Sequence, residues 1–158
     1  MAKLINGKSA SNNPDESLEF CLRLTRAYAT LTRRLDNALS SLHGLSFSDF
    51  MILYYLGRAS ECRLRRIDLA ERLGVTASGV TRSLLPLEKL GLVSRQADPR
   101  DARVAYASLT ESGQQLLNYA LASIAPIAKE AVQKVPAEQM GPILSVLGAL
   151  AGIHLSNN

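Results

Sequence analysis

The stretch IDLAERLGVTASGVTRSLLPLEKLGLVSRQADPRDARVAYASL, residues 67–109, decides the fold. Its first part has the apolar spacing of a short helix, carried by Leu69, Ala70 and Leu73. Gly74 would end that helix. Thr76 is a good N-cap for a second helix, because its hydroxyl can accept a hydrogen bond from a backbone N–H of the first turn. Two short helices joined by a tight turn predict a helix-turn-helix.

The second helix has an apolar and a polar face. The apolar positions, which we expect to pack against neighbouring helices, are Ala77, Val80, Leu84 and Leu87. The N-terminal part of such a helix meets base edges in the major groove of DNA. Arginine can donate two hydrogen bonds to guanine there, and glycine lets the backbone come close. The candidate DNA contacts on this helix and its cap are Thr76, Ser78, Gly79, Thr81 and Arg82.

A hairpin is predicted after this helix, which Gly91 would end. Strand candidates at 92–97 and 103–109 flank the turn-rich sequence DPRDA. The tip holds Arg100 and Arg103, whose guanidinium groups suit a narrow minor groove, and Asp101 could brace Arg103 by a paired hydrogen bond. By itself the tip could equally be a solvated charged turn, but after a helix-turn-helix it predicts a DNA-contacting wing.

Residues 68–113, DLAERLGVTASGVTRSLLPLEKLGLVSRQADPRDARVAYASLTESG, resemble the MarR family of bacterial transcription regulators. The resemblance implies a mainly α fold with a small β-wing. It also places Ser78, Gly79, Thr81 and Arg82 on base-reading positions, Arg103 on the wing arginine and Asp101 on its partner. Pro86 departs from the pattern, and we expect it to kink the second helix beyond its reading half.

The positive charge is concentrated in this region. Residues 63–103 hold nine basic and five acidic residues, which accounts for the whole net charge of +4. Phosphate contact predicts such a distribution, and so would another acidic partner. Arg65 and Arg66, in the short basic segment CRLRR, are candidate phosphate contacts or part of a solvated loop. An anionic membrane surface fits less well, since the basic residues do not share one face of an amphipathic helix.

Long helices are predicted on both sides of the module. Asn13 and Pro14 begin the first, which runs to about Leu42. Ser46 caps the next, from Phe47 to about Gly57. Thr110 opens a further helix that Pro126 should kink or break, and Pro136 can start the last.

The last segment, residues 143–155, is almost wholly apolar but too short to cross a bilayer. We expect it to be buried against a second copy in a C2 dimer. The expected organisation is a single domain, 1–158, with the winged helix-turn-helix at 46–110 and dimerisation helices at 14–43 and 111–156. Its expected partner is a near-palindromic double-stranded operator.

The sequence says less about the signal that would regulate DNA binding. By resemblance, a small phenolic or other aromatic effector could bind between the dimer scaffold and the DNA module. Candidate lining residues are Arg23, Tyr28, His43 and Tyr54, each of which could also be ordinary packing or surface. Alternatively, a cysteine early in the first helix, Cys21, could sense organic peroxides, although an inert buried cysteine fits the sequence better. Cys62 matches no motif.

Other protein classes find little support. No glycine-rich phosphate loop, nucleophile elbow or zinc-ligand spacing occurs, so we expect no enzyme, no metal and no cofactor. No signal-peptide pattern or long apolar run occurs, so we expect a cytoplasmic protein without membrane contact. A winged helix that binds protein instead of DNA would need a neutral or apolar reading face, and this face is polar and basic.

Overall fold

The computed structural model describes residues 14–98, 101 and 104–152. Within these residues it contains six α-helices, a short 3-10 turn and three strands, in the predicted order. The elements are α1 (Pro14–His43), α2 (Phe47–Gly57), β1 (Arg63–Arg65), α3 (Arg66–Leu73), α4 (Ala77–Lys89), β2 (Val93–Ala97), β3 (Ala105–Leu109), α5 (Glu111–Ala131) and α6 (Ala137–Leu150). The mainly α fold with a small β-sheet is confirmed. Asn13, the predicted first cap, lies outside the described residues.

The capping residues act as the sequence predicts. The Ser46 hydroxyl accepts a hydrogen bond from the Asp49 amide at 3.1 Å and so begins α2. The Thr110 hydroxyl accepts one from the Gly113 amide at 3.0 Å and begins α5. Gly91 adopts a φ of 71°, a conformation that favours glycine, immediately beyond α4. The chain therefore leaves α4 through a tight turn into β2.

The sheet is antiparallel with strand order β1-β3-β2. Ala107 of β3 is the shared partner, opposite Leu64 on one side and Arg95 on the other. Three residues of the basic segment CRLRR thus form strand β1, which adds a third strand to the hairpin. Residues 99, 100, 102 and 103, at the tip of the wing, lie outside the described residues.

One hydrophobic core joins the helix-turn-helix to the flanking helices. Helix α2 lies at its centre and contributes buried Ile52, Leu53 and Leu56. The other main contributors are Leu39 of α1, Leu69 of α3, Leu84 and Leu87 of α4, Val93 of β2 and Ala120 of α5. The DNA-binding module therefore shares its core with α1 and α5.

The structure corrects the prediction for Ala77 and shows that two helices continue past a proline. Ala77 is exposed, because the first turn of α4 borders an open cavity instead of a packed neighbour. Pro86 lies inside α4, which continues to Lys89. Pro126 likewise does not break α5, which runs on to Ala131. Each proline removes one N–H donor from its helix without ending it, and the kinks expected at these positions stay predictions.

Apolar side chains remain exposed on the first and the last helix. Helix α6 has no buried residue, and Ile143, Leu144, Val146, Leu147 and Leu150 are between 38% and 57% exposed. Leu18, Phe20 and Leu22 in the N-terminal half of α1 are also exposed. No helix in the ranges 14–98 and 104–152 is both long and apolar enough to cross a membrane.

Candidate nucleic-acid interface

The turn between α3 and α4 presents the first turn of α4 to solvent. Gly74 ends α3 with a φ of 65°, where a side chain would be strained. The Thr76 hydroxyl then caps α4, accepting a hydrogen bond from the Gly79 amide at 3.1 Å. Ser78 lies beside the cap, its Oγ 3.2 Å from Thr76 Oγ1. The predicted cap and the predicted start of the second helix are both confirmed.

The polar residues of α4 differ in their exposure and in the hydrogen bonds that they already make. Ser78 and Arg82 are exposed, and Gly79 is half-buried beneath the cap. Thr81 is half-buried, and its hydroxyl is engaged twice. It donates to the Ala77 carbonyl at 3.0 Å and accepts from Nη2 of Arg66 on α3. We call α4 the recognition helix from here on.

Arg65 is exposed at the end of β1, beside the recognition helix. Its Nε donates a long hydrogen bond of 3.5 Å to the hydroxyl of Tyr106 on β3. That hydrogen bond raises the pKa of the Arg65 guanidinium above its ordinary value, at which the side chain is already positively charged at physiological pH. The Arg63 guanidinium lies over the same tyrosine ring, 5.0 Å from its centre, and pairs with Glu61. Tyr106 thus orients two arginines at the base of the wing.

A cavity of about 470 Å³ separates α3, the recognition helix and the start of β3. We call it the basic cavity; its walls are Arg65, Arg66, Ile67, Ala77, Ser78, Thr81, Val104 and Ala105. Nε of Arg66 is covered from solvent there and has no hydrogen-bond partner among the residues that the structure describes. Four candidate residues, Arg65, Arg66, Ser78 and Thr81, are thereby brought together, and exposed Arg82 follows Thr81 on the recognition helix.

The wing candidates are only partly described. Arg100 and Arg103 lie outside the described residues. Asp101 is half-buried, and its amide donates to the Asp98 carboxylate at 3.3 Å. The Val104 amide donates to the Asp101 carbonyl at 2.9 Å. The Asp101–Arg103 pairing therefore stays a prediction.

The four candidate effector residues do not surround one cavity. Tyr28 lines a cavity of about 360 Å³ between α1, α2 and the helix-turn-helix, which we call the aromatic cavity. Its other lining residues are Phe47, Ser48, Met51, Ile52, Tyr55, Arg72, Leu73, Val75 and Ser83. Arg23 lies on an exposed part of α1 and pairs with Glu19 at 2.5 Å. His43 Nε2 lies 2.8 Å from the Ser123 hydroxyl. Tyr54 stacks on Phe50 and so belongs to the packing of α2.

Both cysteines are free thiols in different settings. Cys21 is exposed on α1, and Cys62 is half-buried at the end of the 3-10 turn, where its φ is 51°. No tyrosine hydroxyl is hydrogen-bonded to either sulfur within the described part of the chain, and the Thr25 hydroxyl instead donates to the Cys21 carbonyl at 2.9 Å. The candidate sensing role of Cys21 stays a prediction.

The sequence interpretation missed Tyr106 and Arg63. Both lie on strand faces, and their contact depends on the β1–β3 register, in which Arg65 is opposite Tyr106. The signal in the sequence was the alternation Arg63-Leu64-Arg65, which places two arginines on one face of a strand. The aromatic partner on that face could not be identified without the register.

Comparison with known proteins agrees with this geometry. Residues 43–104 match the model of the MarR family. The chain is 30% identical over 104 residues to the HTH-type transcriptional regulator MhqR of Bacillus subtilis (strain 168), covering 66% of this chain and 70% of that protein.

Solved structures show the same fold. The transcriptional regulator BldR from Sulfolobus solfataricus superimposes with a TM-score of 0.78 and 28% identity, over 87% of this chain and 96% of that one. Sco3205, a MarR family transcriptional regulator from Streptomyces coelicolor solved in complex with DNA, gives a TM-score of 0.78 and 26% identity over 92% of each chain. The chain therefore belongs to the MarR family of DNA-binding transcriptional regulators.

Proposed function

We propose that the protein is a homodimeric repressor that binds a near-palindromic operator and leaves it when a small aromatic molecule binds. The observation that carries operator binding is the exposed, polar start of the recognition helix, with Ser78 and Arg82 beside the arginines of the basic cavity. An arginine on this face can discriminate guanine, while arginines at its border neutralise phosphates. The wing arginines Arg100 and Arg103 would add a minor-groove contact.

The uncovered apolar surface supports the homodimer. Phe20 and Leu24 of α1 form an apolar groove with Ile143, Val146 and Leu147 of α6. Exposed apolar side chains that adjoin on two helices suit an interface between protein chains. A second copy related by a two-fold axis would cover both grooves together. It would also present two recognition helices to major grooves about 34 Å apart, one turn of DNA. The dimerisation helices are accordingly α1, α5 and α6.

The aromatic cavity supports release by an effector. It lies between α1 and α2 on one side and the helix-turn-helix on the other, with Tyr28 and Tyr55 on the scaffold side and Arg72 on α3. A planar phenol or aromatic acid there could stack on the tyrosines and meet the guanidinium. A ligand shifts the protein only by binding one conformation better than another. Here the conformation favoured by the ligand would hold the two recognition helices at a spacing that does not match the operator. The protein would therefore leave an operator that overlaps a promoter.

The test is fluorescence anisotropy of the full chain on the duplex upstream of its own gene, with a scrambled duplex of equal length as control. We expect tighter binding to the native duplex, and loss of that binding when salicylate is added. Equal binding to both duplexes would contradict self-regulation through this operator and favour a distant operator or a protein-binding role. Release by an organic hydroperoxide, reversed by a thiol, would favour the alternative in which Cys21 is the sensor.

A further inference from the structure

Arg66 connects the two helices of the helix-turn-helix. It is the first residue of α3, yet its Nη2 donates to the Thr81 hydroxyl in the second turn of the recognition helix. This contact joins elements that the chain otherwise connects only through the Gly74 turn and the buried faces of the helices. Its position, at the wall of the basic cavity, brings it to the surface where DNA would lie.

The contact changes what Thr81 can do. A threonine hydroxyl has one proton to donate, and Thr81 gives it to the Ala77 carbonyl at 3.0 Å. One of its acceptor positions is occupied by Arg66. The hydroxyl is also half-buried, whereas Ser78 and Arg82 on the same helix are exposed. Thr81 is therefore held within the protein, although the family resemblance places it among the base-reading positions.

Arg66 retains unused donor capacity. Its Nε is covered from solvent and unpartnered in the described part of the chain. Nε and Nη2 lie on one edge of the guanidinium plane, the edge that commonly binds a carboxylate or phosphate by two parallel hydrogen bonds. A buried donor without a partner is unfavourable, so an acceptor that enters the basic cavity would be stabilised there. Because Arg66 lines the basic cavity, an acceptor bound there would lie beside its guanidinium.

Charge and position identify the acceptor. Arg65 forms the neighbouring wall and is positively charged, as every arginine is at physiological pH. Among the described residues that line the cavity, none is acidic. An oxyanion is the chemical class that two guanidinium groups select. On a surface that faces DNA, the oxyanion present in every register is a backbone phosphate.

We infer that Arg66 is a positioning residue that binds one operator phosphate in the basic cavity while holding Thr81, so that this phosphate fixes the orientation of the recognition helix. The inference rests on the proposed operator binding. On this helix, Ser78, Gly79 and Arg82 would then discriminate the DNA sequence. Thr81 would bind Arg66 instead of a DNA base.

The experiment is a double-mutant cycle with Arg66→Lys, Thr81→Val and the double variant. The probe is a duplex that the wild-type protein enriches from a random library, compared with a scrambled duplex at several salt concentrations. Each single variant should lose operator affinity about tenfold, the size of one charged hydrogen bond. The double variant should lose no more than either single one, because both remove the same unit. Arg66→Lys should keep the salt dependence of binding, since its charge remains.

Two further variants serve as controls. Thr81→Ser keeps the hydroxyl and should bind within about twofold of wild type, which is the rescue expected of a hydrogen-bond role. Arg65→Lys changes the other cavity wall without touching Thr81, so its effect should add to that of Thr81→Val. The melting temperature of every variant is measured in parallel.

Several outcomes would overturn the inference. Additive losses from Arg66→Lys and Thr81→Val would show that the two residues act separately. A changed base preference at one operator position for Thr81→Val would make Thr81 a base reader. A lower melting temperature of Arg66→Lys with unchanged operator affinity would show that Arg66 stabilises the fold and does not bind the operator. If the wild-type protein enriches no duplex, the proposed operator binding fails instead, and the inference falls with it.

Discussion

A Cβ atom built on Gly113 would lie 2.1 Å from the backbone carbonyl oxygen of Leu92. The two residues bring the first turn of α5 against the start of the wing. In the same place the Thr110 hydroxyl donates to the Gly91 carbonyl at 2.7 Å, and the Thr110 amide donates to the Leu92 carbonyl at 3.1 Å. The wing and the scaffold helix are therefore joined through backbone atoms that cannot move aside independently.

Gly113→Ala should destabilise the protein. The added methyl group meets a carbonyl that is already hydrogen-bonded, and overpacking of this kind costs about 1–3 kcal/mol. Urea unfolding at constant protein concentration measures the free energy of unfolding. Ser112→Ala, at the exposed neighbouring position, is the control and should change that free energy by less than about 0.5 kcal/mol. Equal stabilities of Gly113→Ala and wild type would show that the backbone contact is loose.

Local signals in the sequence predicted most of the fold. Thr76, Ser46 and Thr110 cap helices as expected, since a cap depends on residues only two or three positions away. Gly74 and Gly91 end α3 and α4 because left-handed backbone favours glycine. The buried faces of α3 and α4 follow from helical periodicity, except for Ala77, whose neighbour is a cavity.

Contacts between distant segments could not be predicted. The Arg66–Thr81 bond joins residues 15 positions apart, and the Arg65–Tyr106 bond joins residues 41 positions apart. Both depend on helix orientation and strand register, which no local pattern encodes. For the same reason His43 and Tyr54 were grouped with Tyr28, although one contacts Ser123 on α5 and the other stacks on Phe50.

Arg82→Ala should weaken operator binding specifically. Loss of a bidentate guanine contact costs about 1–3 kcal/mol and relaxes preference at one base pair. Lys89→Ala is the matched control, because it removes one positive charge from the other end of the same helix. Anisotropy on operator and scrambled duplexes should give a smaller ratio of affinities for Arg82→Ala and a nearly unchanged ratio for Lys89→Ala. An unchanged ratio for Arg82→Ala would remove Arg82 from the reading residues.

Arg65→Gln should reduce the salt dependence of DNA binding. Each phosphate contact contributes about one to the slope of log affinity against log salt concentration. Tyr106→Phe keeps the charge but removes the hydrogen bond that orients it, so it should lower affinity with an unchanged slope. Arg33→Gln removes an exposed positive charge on α1, and it is the control. A slope for Arg65→Gln equal to that of wild type would place Arg65 away from phosphate.

Val146→Asp should convert the proposed dimer to a monomer. Val146 is 50% exposed on α6 and lines the apolar groove with Phe20, where a second copy would have to desolvate the added carboxylate among apolar side chains. Sedimentation equilibrium should show the mass of one chain, with operator affinity reduced at least tenfold because two linked half-sites are lost. Asn118→Asp adds the same charge on exposed α5 and is the control. A Val146→Asp protein that remains dimeric would assign the interface to another surface.

Met51→Trp should abolish the response to a small aromatic effector while keeping operator affinity. Met51 projects from α2 into the aromatic cavity of about 360 Å³, and an indole there would occupy the volume proposed for the ligand. The cavity lining includes Ser83 of the recognition helix but neither Ser78 nor Arg82. Binding of the operator without effector should therefore stay within about twofold of wild type, as for other changes remote from the contacts.

The measurement titrates salicylate against the preformed complex of protein and operator. His43→Gln is the control: it preserves hydrogen bonding to Ser123 and lies on the α5 side, so release should occur as in wild type. Release of Met51→Trp at the wild-type salicylate concentration would place the effector elsewhere. If salicylate releases Met51→Trp from the operator but does not release His43→Gln, the effector binds at the junction of α1 and α5. Because the two variants change separate regions, their responses determine which surface transmits the signal to the recognition helix.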